Sequence, residues 1–304
     1  MRNKLIVLIL LALLCRDSFA QQRMNTSLFS SIVPMTQPGW MGTREQTEII
    51  VGARKQWIGW EGAPQSQYIG LSGSLFNNKL GLGVNLAKDQ TGARRSNEGN
   101  LVMNYMTPIN AKGWKLNAGI SLGYNRYSFN VTDLLIDDVS DGNLSNYQSK
   151  SLFSMGFGCS IQSSIWTVGL YNNRLNNYLQ SNVAPENVQL INQWNLFASR
   201  SWHLHSLLNL NTSFHYSYAS QGKSNAEING ILVYQDILGM GLAYRYHESI
   251  GIPMQFRISP QIQIFYAYDF PIQQMLKSQA GTHELALNIQ LKNKPKAVLN
   301  PRFF

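Results

Sequence analysis

Long hydrophobic runs are scarce in this sequence of 304 residues, and the one continuous run stands near its start, from residue 5 to residue 14. A membrane-spanning helix needs about 20 apolar residues, so a run of this length does not cross a bilayer as a helix. Charged residues are also few, at 13% of the chain. Soluble domains carry roughly 25%. These two shortages exclude a helical membrane protein and disfavour an ordinary soluble domain.

The short apolar run is typical of an export signal. Arg2 and Lys4 precede it, and Ser18-Phe19-Ala20 places small residues where a signal peptidase cuts. We therefore predict that residues 1–20 are a cleaved signal peptide. Cysteine is rare as well: cleavage leaves Cys159 alone, so we predict no intramolecular disulfide.

Patterns for catalysis and metal binding are missing too. His203 and His205 would share one face of a strand, but no third ligand follows at a recognisable spacing. In His247-Glu248 and His283-Glu284 the two groups fall on opposite faces of a strand, which does not suit an acid–base pair. We predict a protein that is not an enzyme, with no catalytic residues, no metal and no cofactor.

The formal net charge is +9, yet lysine and arginine are scattered along the chain. A nucleic-acid groove needs them clustered with aromatic residues. We therefore predict no nucleic-acid partner. Three explanations of the basic balance remain: phosphate-rich lipid headgroups of the outer membrane, an acidic partner, or no specific role.

What the sequence does have is alternation with a period of two. One stretch places Leu116, Ala118, Ile120, Leu122 and Tyr124 between Asn117, Gly119, Ser121, Gly123 and Asn125. An apolar face backed by a small, polar face is typical of barrel strands that separate lipid from a lumen. We predict a transmembrane antiparallel β-barrel of about 12 to 14 strands over residues 21–304, with a soluble β-sandwich as the alternative.

The predicted strands are residues 46–58, 65–76, 80–88, 98–107, 114–130, 149–161, 164–172, 188–202, 205–218, 225–236, 238–247, 253–260, 261–270 and 281–291. An acidic stretch rich in Asn and Ser, residues 131–148, predicts a long surface loop. A short basic tail, residues 292–304, follows the last strand.

Three clusters break the alternation. The first consists of Arg54-Lys55-Gln56-Trp57, Gly59-Trp60-Glu61-Gly62-Ala63-Pro64, Gly81, Gly83 and Asp89. The second consists of Tyr266-Ala267-Tyr268-Asp269-Phe270 and Gly281-Thr282-His283-Glu284. The third is Asn300-Pro301-Arg302-Phe303-Phe304. The candidate residues for partner contact or for the lumen are Arg54, Gln56, Trp57, Pro64, Gly81, Gly83, Asp89, Asp269, His283, Glu284, Pro301, Arg302 and Phe304.

Residue chemistry gives these candidates roles. Arg54 suits a lumen ion pair with Asp89 or Asp269, or an interfacial anchor beside Trp57. Pro64 cannot extend a ladder, because it lacks the donor. Gly81 and Gly83 leave room for inward loops or for close backbone packing.

The tail has two candidate roles of its own. Phe304 suits a signal for outer-membrane assembly, although Pro301 interrupts a strand there. Pro301, Arg302 and Phe304 equally suit a docking peptide on the periplasmic side.

Together the three clusters resemble the signatures of the PorP/SprF family of Bacteroidetes outer-membrane proteins. The chain differs from the family pattern at Gln37-Pro38-Gly39-Trp40-Met41-Gly42, where the family has Asn-Pro-Ala-x-x-Gly, and at Thr282, where the family has Ser. The resemblance implies a component of the type IX secretion and gliding machinery. It implies partners among the translocon, the periplasmic ring components and a secreted cargo adhesin. A porin-like or FadL-like channel for small solutes is the alternative.

Overall fold

Fourteen antiparallel strands close into a single barrel. The computed structural model describes residues 26–44, 46–111, 113–129, 149–176, 192–220, 224–272 and 279–291. The predicted barrel is confirmed, at the upper end of the expected strand number. The predicted signal peptide, the loop at 131–148 and the tail at 292–304, with Pro301, Arg302 and Phe304, lie outside the described residues.

Each strand pairs with the next along the chain, and β1 pairs with β14 to close the ring. The strands are β1 Thr47–Lys55, β2 Gln65–Leu75, β3 Leu80–Thr91, β4 Arg94–Pro108, β5 Lys115–Phe129, β6 Lys150–Gln162, β7 Trp166–Asn172, β8 Gln193–His205, β9 Leu208–Ala219, β10 Asn225–Tyr234, β11 Leu238–Arg245, β12 Ser249–Ser259, β13 Ile262–Pro271 and β14 Thr282–Leu291. They match the predicted strands one to one. The largest shifts are at the starts of β4, β8 and β12, by four or five residues.

The alternation in sequence becomes an alternation between the two sides of the wall. On β5, Leu116, Ile120 and Leu122 are exposed on the outer surface, while Asn117 and Ser121 are buried on the inner surface. Consecutive side chains of a strand point to opposite faces, so the pattern leaves no choice of register. The apolar face therefore meets lipid, and the small polar face lines the lumen.

The two ends of the barrel differ in the length of their connections. Tight turns, such as residues 76–79 after β2 and 235–237 after β10, define the short-turn end, where β1 also begins. Gln235 and Asp236 have φ of 51° and 56°, as a type I′ hairpin requires. Longer connections, such as those after β1, β5, β7 and β13, define the long-loop end.

In the described part of the chain, the helix α1 (Phe29–Thr36) precedes the barrel in sequence and lies against the inner faces of β1, β2, β3 and β9. At about 1.5 Å per residue its eight residues span about 12 Å. Within the described ranges, no helix is long and apolar enough to cross a membrane.

Candidate functional site

The lumen is occupied by the chain's own N-terminal segment, residues 26–44, which we call the plug. Trp40 and Met41 have no exposed surface, and Phe29 is 1% exposed. Trp40 packs edge-to-face on Phe197 of β8, with ring centroids 5.8 Å apart. Phe29 lies 6.2 Å from the same ring. The barrel thus has an apolar core inside the lumen, which the strand pattern does not predict.

Glycines on the inner face let the plug backbone approach the wall. A Cβ built on Gly81 would lie 2.4 Å from the Met41 carbonyl oxygen, and one on Gly83 would lie 2.1 Å from Met41 Sδ. On β6, a Cβ at Gly158 would lie 2.0 Å from the Pro38 carbonyl oxygen. Such contacts are too short for real atoms, so these positions require glycine while the plug is in place. Gly81 packs closely against the plug backbone, whereas Gly83 leaves room for the Met41 side chain of this inward segment.

Polar residues on the inner face hydrogen-bond the plug's carbonyl groups. Ser160 Oγ donates to the Gly39 oxygen at 2.6 Å, and Asn104 Nδ2 donates to the Met41 oxygen at 3.4 Å. Asn85 donates to the Thr36 oxygen. A buried carbonyl without a donor costs free energy, so the small polar face of the wall is matched to an irregular segment of backbone.

Gln37 shows how this chain accommodates its departure from the family pattern. Its Oε1 accepts a hydrogen bond of 2.6 Å from Asn173 Nδ2, just beyond β7. Glutamine and asparagine both end in an amide. The amide at this position therefore ties the plug to the wall through an acceptor that both residue types provide.

At the long-loop end, Arg54 lies at the centre of a buried ion cluster. Its Nη2 is 2.9 Å from Asp269 Oδ2, and its Nη1 is 3.0 Å from Glu284 Oε2. All three side chains are at most 5% exposed. The register explains the meeting with Glu284, because Arg54 and Glu284 are direct partners across β1 and β14.

Arg245, the last residue of β11, extends the cluster. Its Nε is 2.9 Å from Glu227 Oε2, and its Nη1 is 3.1 Å from Glu248 Oε1. The same Nη1 lies 3.8 Å from Asp269 Oδ2. With two arginines against four carboxylates, the cluster has an excess of negative charge when all six groups are ionised.

The start of the plug is bound into this cluster. Ser27 Oγ accepts from Arg54 Nη1 at 2.7 Å and from Arg245 Nη2 at 3.2 Å, and it donates to Asp269. The Ser27 backbone N–H donates to Glu284 Oε2 at 2.8 Å, and Thr26 Oγ1 donates to Glu284 Oε1 at 2.5 Å. The plug therefore begins in the ion cluster and runs down the lumen. At the short-turn end, Arg44 and Glu48 form an ion pair of 2.7 Å.

Of the two partners expected for Arg54, the structure has Asp269 and not Asp89. Asp89 instead accepts a hydrogen bond from Ser66, its direct partner across β2 and β3. Asp89 and Asp269 both lie two strands from Arg54, on opposite sides of β1, and the guanidinium is held on the side of β13 and β14 by Asp269 and Glu284. Of the two alternatives that the sequence left open, the Arg54 ion pair is therefore the one with Asp269.

The other motif residues form a rim at the long-loop end. Gln56 donates its N–H to the Pro64 oxygen at 2.9 Å, so Pro64 still contributes an acceptor where it cannot donate. Trp57 follows with φ of 46°, and its N–H donates to Thr282 Oγ1 at 3.3 Å. Thr282 thus uses the hydroxyl that it shares with the family's serine.

Three backbone hydrogen bonds hold this rim together across the loops. Ile58 N–H donates to the Gly281 oxygen at 3.0 Å, and Ala280 N–H donates to the Ile58 oxygen at 2.8 Å. Gly92 N–H donates to the Gly62 oxygen at 2.8 Å. Trp60 lies exposed on this ordered rim.

His283 and Glu284 divide between the two faces, as expected. Glu284 faces the lumen, whereas His283 faces outward and its Nδ1 lies 2.8 Å from the Tyr266 hydroxyl. Within the described ranges no group of three or more His, Cys, Asp and Glu side chains could hold a metal ion.

The sequence did not reveal the plug, which includes Thr26 and Ser27, or three of the six charged groups in the ion cluster, namely Glu227, Arg245 and Glu248. One signal was available: Glu227 and Arg245 are charged residues at inward positions of predicted strands, and a charge facing a lumen needs a partner.

Comparisons with known proteins agree with this geometry. A sequence model described as "Type IX secretion system membrane protein PorP/SprF" matches residues 18–289. No curated protein matches the chain.

Several solved outer-membrane barrels share the fold. The toluene transporter TbuX of Ralstonia pickettii has 8% identity and a TM-score of 0.51 over 86% of this chain and 93% of its own. A FadL homologue of Pseudomonas aeruginosa has 10% identity and a TM-score of 0.50 over 91% of this chain and 100% of its own. Omp33 of Acinetobacter baumannii has 8% identity and a TM-score of 0.46, over 82% of this chain and 99% of its own. At these identities the first two likenesses show the fold alone.

Proposed function

Because this chain belongs to the PorP/SprF family of type IX secretion system membrane proteins, we propose that it is a non-enzymatic, outer-membrane part of that secretion and gliding machinery. In this role it supports the export or surface anchoring of specific cargo adhesins. The barrel acts as an anchor and acceptor for other proteins and not as a passage for solutes.

The occupied lumen is the observation that carries this proposal. Trp40 and Met41 are fully buried inside the barrel, and polar wall residues satisfy the carbonyl groups around them. A channel for small solutes needs a continuous aqueous path. A lumen filled by hydrogen-bonded chain and aromatic rings favours a protein that works through its two ends.

The two ends suit different partners. Outer-membrane barrels have short periplasmic turns and longer external loops, so the long-loop end faces outward. The rim with Trp60 then meets a secreted adhesin or the translocon at the cell surface. β14 ends at Leu291 on the short-turn end, so the basic tail starts on the periplasmic side, toward the ring components.

A pull-down from detergent-solubilised outer membranes tests these roles. We expect the intact, affinity-tagged protein to recover both a cargo adhesin and secretion components in mass spectrometry. Trp60→Ala should lose the cargo or translocon and keep the ring components. A chain ending at Lys296 should do the reverse. Trp194→Ala is the matched control, because Trp194 is a similarly exposed ring on the outer wall of β8.

One combination of results would contradict the secretion role. If the intact, folded barrel recovers neither group of proteins and conducts ions in a planar bilayer, the small-solute channel replaces the secretion role.

A further inference from the structure

An arginine lies between two tryptophans on the lipid-facing side of the barrel near the short-turn end. The Arg200 guanidinium carbon is 3.5 Å from the centroid of the Trp202 ring and 4.6 Å from that of Trp166. All three residues face outward, because Asn195 and Phe197 of the same strand are buried toward the lumen. The cation is thus held on the outer wall by two rings.

Cross-strand pairing and hydrogen bonds position the two tryptophans. Trp202 Nε1 donates to Thr212 Oγ1 at 3.0 Å, and Thr212 is the direct partner of Arg200 across β8 and β9. On the other side, Trp166 is the partner of Arg200 across β7 and β8. The backbone N–H of Trp166 donates to Ser163 Oγ at 2.9 Å, in the turn before β7. The pocket exists before any ligand arrives.

The guanidinium has no acceptor from the protein within the described part of the chain. It makes no ion pair or hydrogen bond there, and its Nε is buried without a partner. Aromatic rings stabilise the charge through their faces, but they offer no acceptor in the plane of the N–H groups. The Nη groups of Arg200 are left as donors for a ligand.

The position of Arg200 along the barrel axis indicates which kind of ligand suits the site. Trp194 and Trp202 are eight residues apart on β8, about 26 Å along the strand and about 20 Å along the axis of a barrel with usual tilt. Trp194 pairs with Tyr218, so aromatic residues stand at both borders of the apolar band. Arg200 lies at the lower border, at the level of the headgroups of one leaflet.

The wall between these borders is apolar. Val168 and Leu170 of β7 and Leu196 of β8 are exposed on the outer surface, between the guanidinium and the upper border. A lipid whose headgroup meets Arg200 can lay an acyl chain along them, which a free anion cannot do. We propose that Arg200, Trp166 and Trp202 form a binding site for the phosphate group of a membrane phospholipid in the leaflet at the short-turn end.

Native mass spectrometry of the full-length protein in detergent tests the site. The probes are phosphatidylglycerol and a galactolipid with the same acyl chains but no phosphate. The wild-type protein should retain one phosphatidylglycerol tightly, at least tenfold better than the galactolipid. Arg200→Gln should lose this preference. Arg126→Gln is the matched control, because Arg126 is exposed on the outer wall at the opposite end, and it should keep the preference.

Two results would overturn the proposal. One is equal retention of the two lipids by the wild-type protein, a measurement that does not depend on the folding of any variant. The other is displacement of the bound phospholipid by millimolar inorganic phosphate, since a free anion would then be the occupant. A shift in gel mobility between unheated and heated samples separates folded from unfolded variants.

Discussion

Arg54 and Glu284 face each other across the first and last strands of the barrel, with Nη1 and Oε2 3.0 Å apart. The same Glu284 oxygen accepts the backbone N–H of Ser27 at 2.8 Å. One ion pair therefore joins the seam that closes the barrel to the segment that fills it. Buried ion pairs often add little net stability, but they fix register and partners.

We predict that replacement of Arg54 destabilises the barrel more than replacement of Glu284. Arg54→Met leaves one arginine against four carboxylates, and loss of one partner of a buried pair costs about 3–5 kcal/mol. Glu284→Gln removes a negative charge from a cluster that has an excess of it, and its amide oxygen can still accept from Ser27. Urea unfolding followed by tryptophan fluorescence measures both. If both variants lose the same free energy of unfolding, or if Glu284→Gln loses more, the excess of negative charge has no effect on stability.

A methyl group at Gly81 should loosen the plug and spare the wall. The Cβ of Gly81→Ala would lie 2.4 Å from the Met41 oxygen, so the plug backbone has to move. We expect faster hydrogen–deuterium exchange in residues 26–44. Gly230→Ala is the control, because its Cβ would meet only Leu210 Cδ1 at 3.9 Å. The same exchange in both variants as in the wild type would argue against close packing at Gly81.

Trp40→Ala should leave a cavity in the lumen. Trp40 has no exposed surface, and truncation of a buried tryptophan costs about 3–5 kcal/mol. Trp60→Ala, on the exposed rim, should change the free energy of unfolding by about 0.5 kcal/mol or less. If chemical unfolding gives the same free energy of unfolding for Trp40→Ala and Trp60→Ala, Trp40 does not hold the plug.

The plug should also determine conductance. The intact protein is expected to give no steady current in a planar bilayer, because residues 26–44 occupy the lumen. Gly81→Val, whose larger side chain displaces Met41, should open the lumen and raise the conductance. A steady open current from the intact protein would contradict the role of the plug.

The wall of this barrel could be predicted from the sequence because the alternation that defines each strand lies within a short stretch of residues. The alternation on β5 and its counterparts fixes strand positions to within a few residues, and the outward face follows from side-chain size and polarity. The ion pair of Arg54 and Asp269 could also be predicted from the sequence, because both residues lie at inward positions near strand ends.

The plug could not be predicted, because its interactions connect distant parts of the chain. Ser27 meets Asp269, and Gly39 meets Ser160, across 242 and 121 residues of sequence. Residues 26–44 repeat no period of two, so the alternation that locates the strands does not place this segment in the lumen. Gly81 and Gly83 of β3 indicated space at the inner face, but they did not indicate that the plug fills it.

The most direct measurement is a quantitative comparison of surface and secreted proteins between cells with this gene and cells from which it has been deleted. A type IX secretion component predicts that one or a few adhesins disappear from the surface, while uptake of small solutes is unchanged. Restoration by the wild-type gene, and not by a variant that lacks the rim tryptophan Trp60, would assign the effect to the long-loop end. An unchanged set of surface and secreted proteins, with slower entry of small solutes, would contradict the secretion role and favour a channel.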